Sequence, residues 1–183
     1  WFVLGIDSGR PAINVGVTLL GVGFVGFMAS FAALILRTPV VAGTTTNILL
    51  AAVLPTVAHD VFAYFVGRNA GRSPLSPISP GKTVEGLVGG CLGAVVVSVL
   101  FNDILLNLEP FDGFRNSLLL GLVIAFVAPL GDLCESLIKR DFGVKDMGTM
   151  LPGHGGVLDR FDTLLFVLPA VYYLARLLDL FVV

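Results

Sequence analysis

Five long apolar stretches dominate this sequence, and they limit what the chain can fold into. A helix that crosses a bilayer needs about 20 mostly apolar residues. An open sheet leaves backbone groups unpaired in lipid, and no alternating ten-residue pattern indicates a closed barrel. The sequence therefore predicts an all-α, polytopic transmembrane helix bundle and a single integral membrane domain over residues 1–183. The expected spans, about five, are residues 14–36, 47–66, 84–106, 117–138 and 161–183.

The composition agrees with a membrane protein and excludes several other classes. Hydrophobic residues make up 56% of the chain and charged residues 13%, whereas soluble domains carry about 25% charged residues. The formal net charge of −2 provides no global field to attract nucleic acid, so no nucleic-acid partner is expected. Cys91 and Cys134 both lie in apolar stretches outside any CxxC pattern. They are predicted to be buried free thiols rather than zinc ligands.

The basic residues between the spans indicate an orientation. Residues 67–83 carry Arg68, Arg72 and Lys82, and residues 139–160 carry four more basic side chains. Basic loops stay in the cytoplasm. Five alternating spans then place the N-terminus in the cytoplasm and the C-terminus outside, which predicts a multi-pass protein of the cell (inner) membrane.

Two short glycine motifs resemble nucleotide-binding loops and are rejected. Residues 21–26 match GxGxxG, but they lie inside an uncharged span with no acidic residue about 20 positions later. Close helix packing through these small residues is the expected explanation. Gly81, Lys82 and Thr83 resemble the end of a Walker A loop, but the earlier glycine of that loop is replaced by Ser76. Lys82 and Thr83 are instead predicted to bind a phosphate by another geometry.

Ionisable residues concentrate at the cytoplasmic ends of the last two spans. Asp132, Ser136 and Lys139 are spaced i, i+4 and i+7, so they share one helical face, which Glu135 shares or flanks. Several carboxylates this close cannot all ionise without a cation, and hard oxygen ligands suit Mg²⁺. With the adjacent bases, the pattern predicts magnesium and nucleotide phosphates; interhelical ion pairs are the alternative. The remaining members of this group are Arg140, Lys145, Asp146, Asp159, Arg160 and Asp162.

Two histidines fall near this group. His154 lies in a glycine-rich loop, where the backbone N–H groups of Gly155 and Gly156 can approach an anion. His154 is expected to contact a phosphate or carry a proton, and an incidental turn histidine is the alternative. His59 and Asp60 lie about two turns deeper, either as functional groups or as a buried polar pair that orders helix packing.

The spacing of these residues closely resembles the hallmark of the phosphatidate cytidylyltransferase family, also called CDP-diacylglycerol synthases. The resemblance runs from about residue 47 to residue 183. The segments that carry it are residues 136–140 (SLIKR), 145–148 (KDMG), 151–162 (LPGHGGVLDRFD), 60–68 (DVFAYFVGR) and 79–86 (SPGKTVEG).

The resemblance implies a reaction and its participants. CTP and phosphatidic acid would give CDP-diacylglycerol and pyrophosphate, in a magnesium-dependent membrane enzyme that forms a homodimer and accommodates a possible second cation. It implies that Asp132 and Asp159 are metal ligands with Asp162 close by, and that Ser136 and Lys139 line the same polar cavity. It also implies further N-terminal spans, so that residues 1–183 form about the C-terminal two-thirds of a longer enzyme.

The resemblance assigns the remaining charged and loop residues as follows. The expected catalytic set is Asp132, Ser136, Lys139, Lys145, Asp146, His154 and Asp159. The expected substrate-binding residues are Arg68, Lys82, Thr83, Arg140, Gly155, Gly156 and Arg160.

Other interpretations remain open at this stage. Another CTP-using membrane enzyme, such as a polyprenol kinase or an archaeal-type CDP-lipid synthase, would use similar chemistry. A cation transporter would also place acids inside a membrane, usually near the midplane at broken helices. A folded but inactive fragment is a further alternative.

Overall fold

The structure is a computed structural model that describes residues 11–76, 79–144 and 158–180; within these ranges the side chains of 11–14, 80 and 158–160 are not described. The described residues form six α-helices and one hairpin. They are α1 (Pro11–Gly21), α2 (Met28–Arg37), α3 (Thr45–Ala70), β1 (Pro74–Ser76), β2 (Ser79–Thr83), α4 (Val84–Val99), α5 (Phe114–Asp141) and α6 (Leu158–Leu177). Two π-helical turns, Val22–Phe27 and Leu100–Leu105, continue the helices before them.

Four helical segments in the described ranges are long and apolar enough to cross a membrane. They are Val15–Arg37, Thr45–Ala70, Val84–Leu105 and Phe114–Asp141. The predicted helical membrane bundle is therefore confirmed, and the protein is a multi-pass membrane protein. The expected count of five spans is only approximate, because α6 is a 20-residue helix that is not one of these four.

The core of the bundle lies between α3, α5 and α6. Ile48, Ile124, Val167 and Val171 are fully buried there. The first helical segment joins this core through α2, where the Phe31 ring lies 5.5 Å from that of Tyr172. The rest of that segment is largely exposed, as expected for side chains that face lipid.

Glycines let α4 pack closely against α3. A Cβ atom on Gly86 would lie 2.8 Å from the Ala63 carbonyl oxygen, and one on Gly90 would lie 2.8 Å from the His59 carbonyl oxygen. The expectation of such packing at residues 21–26 is wrong for the described chain. Cβ atoms on Gly21 and Gly23 would meet nothing within 4 Å, because no neighbouring helix covers that face.

Prolines inside α3 and α5 each leave one backbone carbonyl group without its helical hydrogen-bond donor. Side chains of α4 and of the π-helical turn that continues it lie at these carbonyl groups. Proline cannot donate to the carbonyl four residues earlier, and an unpaired carbonyl is costly in a membrane interior. Asn102 Nδ2 lies 3.5 Å from the carbonyl oxygen of Ala51, four residues before Pro55. Cys91 Sγ donates to the carbonyl of Ala125, four residues before Pro129, at 3.2 Å. Both carbonyl groups therefore have a side-chain donor in place of the missing backbone N–H.

The antiparallel hairpin β1–β2 connects α3 to α4 at one end of the bundle. Glu85 Oε2 accepts hydrogen bonds from the backbone N–H groups of Arg72 and Ser73, at 3.1 and 3.2 Å. Thr83 caps α4 by accepting from the N–H of Gly86 at 3.1 Å. These bonds fix both ends of the hairpin to α4.

The connections at the opposite end meet one another. The N–H of Val41 donates to the carbonyl of Leu180 at 3.0 Å, and Asp103 accepts from the N–H of Gly113 at 2.9 Å. The helices therefore alternate in direction, as predicted, and the hairpin shares its end of the bundle with the C-terminal end of α5.

Candidate functional site

A cavity of about 230 Å³ opens between α3, the hairpin, α4 and α5. Its wall combines charged groups with apolar and small residues. The lining residues are His59, Ala63, Tyr64, Gly67, Arg68, Leu75, Gly81, Lys82, Thr83, Gly86, Leu87, Pro129, Asp132 and Leu133.

Lys82 crosses from the hairpin to α5 and meets two of the predicted site residues there. Its ammonium forms an ion pair with Asp132 Oδ2 and lies 3.3 Å from Ser136 Oγ. Asp132 and Ser136 are thus on one face, as their i, i+4 spacing predicts. The contact with Lys82 joins residues 54 positions apart, so helical spacing alone could not predict it.

Arg68 and Thr83 stand on two other walls of this cavity. Arg68 donates to the hydroxyl of Tyr64 at 2.8 Å, and its guanidinium carbon lies 6.0 Å from the centre of that ring. Tyr64 therefore holds the Arg68 cation at the cavity wall. Thr83 lines the cavity while its hydroxyl oxygen caps α4.

Glu135 is a buried acid on α5 that the sequence analysis expects to share or flank the face of Asp132. It is fully buried, and its Oε2 accepts from Lys139 Nζ at 2.9 Å. Its Oε1 has no hydrogen-bond partner among the described residues. Lys139 therefore meets Glu135, and the i+4 spacing of that pair was the available signal.

The acids of α5 and α6 lie near one another. Asp162 is 7% exposed, and its Oδ1 accepts from the N–H of Thr163 at 2.7 Å. It is an electrostatic neighbour of both Asp132 and Glu135. The charge of Asp162 on α6 is therefore felt by two acids of α5, and a shared cation site at these helix ends stays a prediction.

The donor chemistry of this acidic group fits an oxygen-preferring cation. Asp132, Glu135 and Asp162 offer only carboxylate oxygens, and Glu135 Oε1 is buried without a partner in the described part of the chain. Buried unpaired carboxylate oxygens are costly unless a cation or proton meets them. Over the described ranges, no group of three or more His, Cys, Asp or Glu residues is positioned to hold a metal ion. Asp159 lies in the first turn of α6, and its side chain is not among those described.

His59 and Asp60 form a pair at the deeper part of the cavity. Nδ1 of His59 lies 3.0 Å from Oδ1 of Asp60, and the His59 side chain is 4% exposed whereas that of Asp60 is 50% exposed. His59 Nε2 is buried and has no hydrogen-bond partner among the described residues.

Several predicted site residues are elsewhere or outside the description. Arg140 is exposed and lines a separate shallow groove with Ile138, Asp141 and Phe142, so the structure does not bring it to the cavity of Lys82. Arg160 belongs to the first turn of α6, without a described side chain. Lys145, Asp146, His154, Gly155 and Gly156 lie outside the described residues.

An apolar groove of about 570 Å³ runs along α2 and α6. Phe161, Leu164 and Leu165 line it on α6, and they flank the buried Asp162 in the sequence. An apolar surface of this kind suits an acyl chain, and it lies beside the helix end that carries the acids.

Comparison with known proteins identifies the family. The family model described as "Cytidylyltransferase family" matches residues 7–178. The phosphatidate cytidylyltransferase of Thermotoga maritima is 43% identical over 127 residues, which cover 68% of this chain and 47% of that protein. The phosphatidate cytidylyltransferase of Synechocystis is 50% identical over 121 residues, covering 66% and 40% respectively. The chain thus spans less than half the length of these two relatives.

A solved structure supports the architecture. It comes from a study of an intramembrane enzyme for archaeal membrane lipid biosynthesis, with a TM-score of 0.52 and 24% sequence identity. The match covers 69% of this chain and 77% of that chain. At this identity the match supports the fold of the bundle and nothing finer.

Proposed function

This chain belongs to the cytidylyltransferase family, and we propose that it transfers the cytidylyl group of CTP to phosphatidic acid. The products are CDP-diacylglycerol and pyrophosphate. The observation that carries the proposal is the ion pair between Lys82 of the hairpin and Asp132 of α5 at a cavity that opens at one end of a membrane bundle. The relatives described as phosphatidate cytidylyltransferases support the same substrates.

The chemistry requires the site to bring two anions together. An oxygen of the lipid phosphate attacks the α-phosphorus of CTP, and the bond from that phosphorus to the bridging oxygen of the β-phosphate breaks. The electron pair of that bond leaves with pyrophosphate. Positioning and charge neutralisation are the main requirements, since a phosphate is already an anionic nucleophile near neutral pH.

The cations of the cavity meet those requirements. Lys82 and Arg68 line one cavity and neutralise phosphate oxygens of CTP. Lys139, held by Glu135 at 2.9 Å, neutralises charge on the α5 side. Lys145, Arg140, Arg160 and the His154-Gly155-Gly156 segment stay predicted phosphate contacts, with Asp146 beside them in the sequence.

Magnesium is the cofactor that the carboxylate oxygens of α5 and α6 suit. Asp132 and Asp159 would hold it with Asp162 close by, and when bound it supplies positive charge to phosphate oxygens. A second cation stays a prediction.

Location follows from the solubility of the two substrates. CTP is a cytosolic solute, whereas phosphatidic acid keeps its acyl chains in the bilayer. We place the hairpin end on the cytoplasmic side of a cell membrane. Residues 67–83 and 139–160 are the connections rich in basic residues, and basic loops stay in the cytoplasm. The apolar groove of α2 and α6 then receives an acyl chain from the side. The homodimer implied by the resemblance stays a prediction.

A turnover assay tests the proposal. Purified protein in lipid vesicles receives CTP labelled at the α-phosphorus and phosphatidic acid, with Mg²⁺ or with a chelator. We expect label in the lipid phase and one pyrophosphate released per lipid labelled, and neither with the chelator. Transfer to a polyprenol or an archaeal ether lipid in place of phosphatidic acid would contradict the substrate assignment. Cation flux through liposomes without CTP turnover would favour a transporter.

A further inference from the structure

We propose that Glu85 is a positioning residue, which fixes the hairpin so that Lys82 reaches Asp132 and Ser136 for the reaction with CTP. This inference deepens the proposed function and rests on it. Glu85 is not among the residues that line the cavity, so its effect on a nucleotide passes through Lys82.

The hairpin that carries Lys82 needs contacts outside itself to hold its shape. Its strands are three and five residues long and form a two-stranded sheet, and their register is irregular between Pro74 and Ser76. An isolated two-stranded hairpin is marginally stable at best in water. The position of Lys82 in β2 therefore depends on contacts between the hairpin and the helices.

Glu85 supplies such contacts where the chain enters the hairpin. Its Oε2 accepts hydrogen bonds from the N–H groups of Arg72 and Ser73 at 3.1 and 3.2 Å. The carbonyl oxygen of Ser73 accepts from the N–H of Val84 at 2.9 Å. The next residue, Pro74, has no N–H to donate. The segment that enters β1 is therefore bound to the first turn of α4 by three hydrogen bonds.

The chain is also fixed where it leaves the hairpin, at the residue after Lys82. Thr83 Oγ1 accepts from the N–H of Gly86 at 3.1 Å. Cβ atoms on Gly67 and Gly71 would lie 3.1 and 2.8 Å from the same oxygen, so Thr83 packs closely between the end of α3 and the start of α4. The carboxylate that binds the entering segment keeps β1 beside this fixed exit.

A lysine needs an anchored backbone to deliver its charge to one place. Its four-carbon stem is flexible, and ordering that stem costs conformational entropy. Lys82 nevertheless pairs with Asp132 and lies 3.3 Å from Ser136 Oγ. The side chains of the ion pair are 30% and 31% exposed, so burial alone does not hold them together. A fixed strand lowers the cost of the contact.

The charge of Glu85 separates this proposal from a plain electrostatic effect. Glu85 is adjacent in the sequence to Gly86, which lines a cavity proposed to bind phosphates. By Coulomb's law, removal of that negative charge alone would favour CTP. Loss of the hairpin contacts would instead weaken the use of CTP, because Lys82 would no longer be held at the cavity. The two explanations predict opposite changes in the same variant.

The test compares Glu85→Ala with Glu85→Gln by steady-state kinetics at equal amounts of membrane-inserted protein. Alanine removes the acceptor, whereas the amide oxygen of glutamine can still accept from both N–H groups. We expect kcat/KM for CTP to fall about tenfold in Glu85→Ala and about twofold in Glu85→Gln. KM for phosphatidic acid should stay at the wild-type value in both variants. A rise in kcat/KM for CTP, or equal losses in the two variants, would assign the effect to charge and overturn the proposal.

A double variant tests whether Glu85 acts through Lys82. Lys82→Met removes the group that Glu85 positions, so the addition of Glu85→Ala should lower kcat/KM for CTP by less than about twofold further. Residues that act independently would give losses that multiply. Multiplied losses would overturn the proposal.

Asp103→Ala is the matched control. Asp103 Oδ1 accepts from the N–H of Gly113 at 2.9 Å, so a carboxylate binds the backbone there too, at the end of the bundle opposite the hairpin. Its kcat/KM for CTP should stay within about twofold of the wild-type value. A loss equal to that of Glu85→Ala would show that general destabilisation explains both variants, and it would overturn the role of Glu85.

A cross-linking measurement separates this proposal from the proposed function. In the absence of CTP and phosphatidic acid, a water-soluble carbodiimide activates a carboxylate, which then forms an amide bond with a neighbouring lysine amine. Mass spectrometry of the digested protein measures the peptides joined through Lys82 and Asp132. We expect this product in the wild-type protein and in Asp103→Ala, with a yield about tenfold lower in Glu85→Ala.

The outcomes are distinct for the two claims. A lowered cross-linking yield in Glu85→Ala, together with no turnover of phosphatidic acid by the wild-type protein, supports the positioning of Lys82 and contradicts only the proposed function. An unchanged yield in Glu85→Ala overturns the role of Glu85, and so does the absence of the cross-link from the wild-type protein.

Discussion

Lys82 is the residue on which the site geometry depends most. It belongs to the hairpin, yet its ammonium contacts Asp132 and Ser136 on α5. A cation in that position balances an acid, and under the proposed function it is available to the phosphate oxygens of CTP. The hairpin therefore contributes charge to a site whose acids belong to the helices.

Replacement of Lys82 should weaken nucleotide use. For Lys82→Met we expect kcat/KM for CTP to fall about 100-fold, because a preorganised positive charge is lost. For Lys82→Arg, kcat/KM for CTP should fall less, because the positive charge is kept. Steady-state kinetics with varied CTP and saturating phosphatidic acid measures both.

Arg72→Met is the control for that experiment. Arg72 is exposed, does not line the cavity, and uses its backbone N–H to bind Glu85. The same loss of charge there should change kcat/KM less than twofold. Equal losses in the Arg72 and Lys82 variants would show that only the overall charge of the hairpin matters.

Sequence spacing accounts for part of this residue-level picture. The i, i+4 relation of Asp132 and Ser136 predicts their common face, and the structure has it. Lys139 contacts Glu135. The i+4 spacing of these two residues permits this contact, but spacing alone does not show that Lys139 meets Glu135 rather than Asp132 or Ser136. The contacts of Lys82 and the nearness of Glu135 to Asp162 depend on how separate helices pack, and residue spacing within one helix does not contain that information.

At the level of the elements, glycines decide how close α3 and α4 come. Gly86 and Gly90 face the backbone and side chains of α3, whereas Gly21 faces nothing within 4 Å. A glycine pattern alone cannot tell these situations apart, because the difference lies in the partner helix. This is why packing was predicted at residues 21–26 but occurs along α4.

Gly90→Ala should destabilise the bundle. Its Cβ would lie 2.8 Å from the His59 carbonyl oxygen and 3.0 Å from the Ala63 Cβ, so the helices must separate. We expect a loss of about 1–3 kcal/mol in the free energy of unfolding. Thermal unfolding in detergent, followed by circular dichroism, should show a lower Tm.

The matched variant Gly21→Ala adds the same methyl group where nothing opposes it. Its Tm should stay equal to that of the wild-type protein or rise slightly, because alanine favours the helix. Equal decreases in Tm for the two variants would contradict the close packing assigned to α3 and α4.

Hydropathy predicts the spans well and misses the hairpin. Four of the predicted spans match apolar helices to within a few residues at most ends, since bilayer thickness fixes their length. The strands Pro74–Ser76 and Ser79–Thr83 are three and five residues long and contain prolines, so they carry no alternating pattern. Their position comes from Glu85 and Thr83, which act through backbone bonds.

At the level of the whole molecule, the antiparallel helices separate two chemically different ends. The hairpin end carries the cavity and its charges. The other end is closed by contacts among its connections, such as Val41 with Leu180 and Asp103 with Gly113. Among the described residues, the charged cavity and the beginning of the apolar groove both lie toward the hairpin end.

Labelling of single cysteines should reveal the orientation. With Cys91 and Cys134 replaced by serine, Arg72→Cys marks the hairpin and Arg115→Cys marks the start of α5; both positions are exposed. In intact cells, a membrane-impermeant maleimide should label position 115 and should label position 72 only after permeabilisation. The reverse pattern would place the cavity outside the cytoplasm.

The central claim is that Asp132 holds the reacting phosphates through a cation, and Asp132→Asn tests it most directly. The substitution keeps the size of the side chain and removes its charge, while Asp112→Asn changes an acid before α5 at the opposite end. Formation of CDP-diacylglycerol from CTP and phosphatidic acid is measured for both at equal amounts of membrane-inserted protein. The account predicts that product falls to background with Asp132→Asn and stays at the wild-type level with Asp112→Asn. Wild-type turnover by the Asp132→Asn protein would contradict the account.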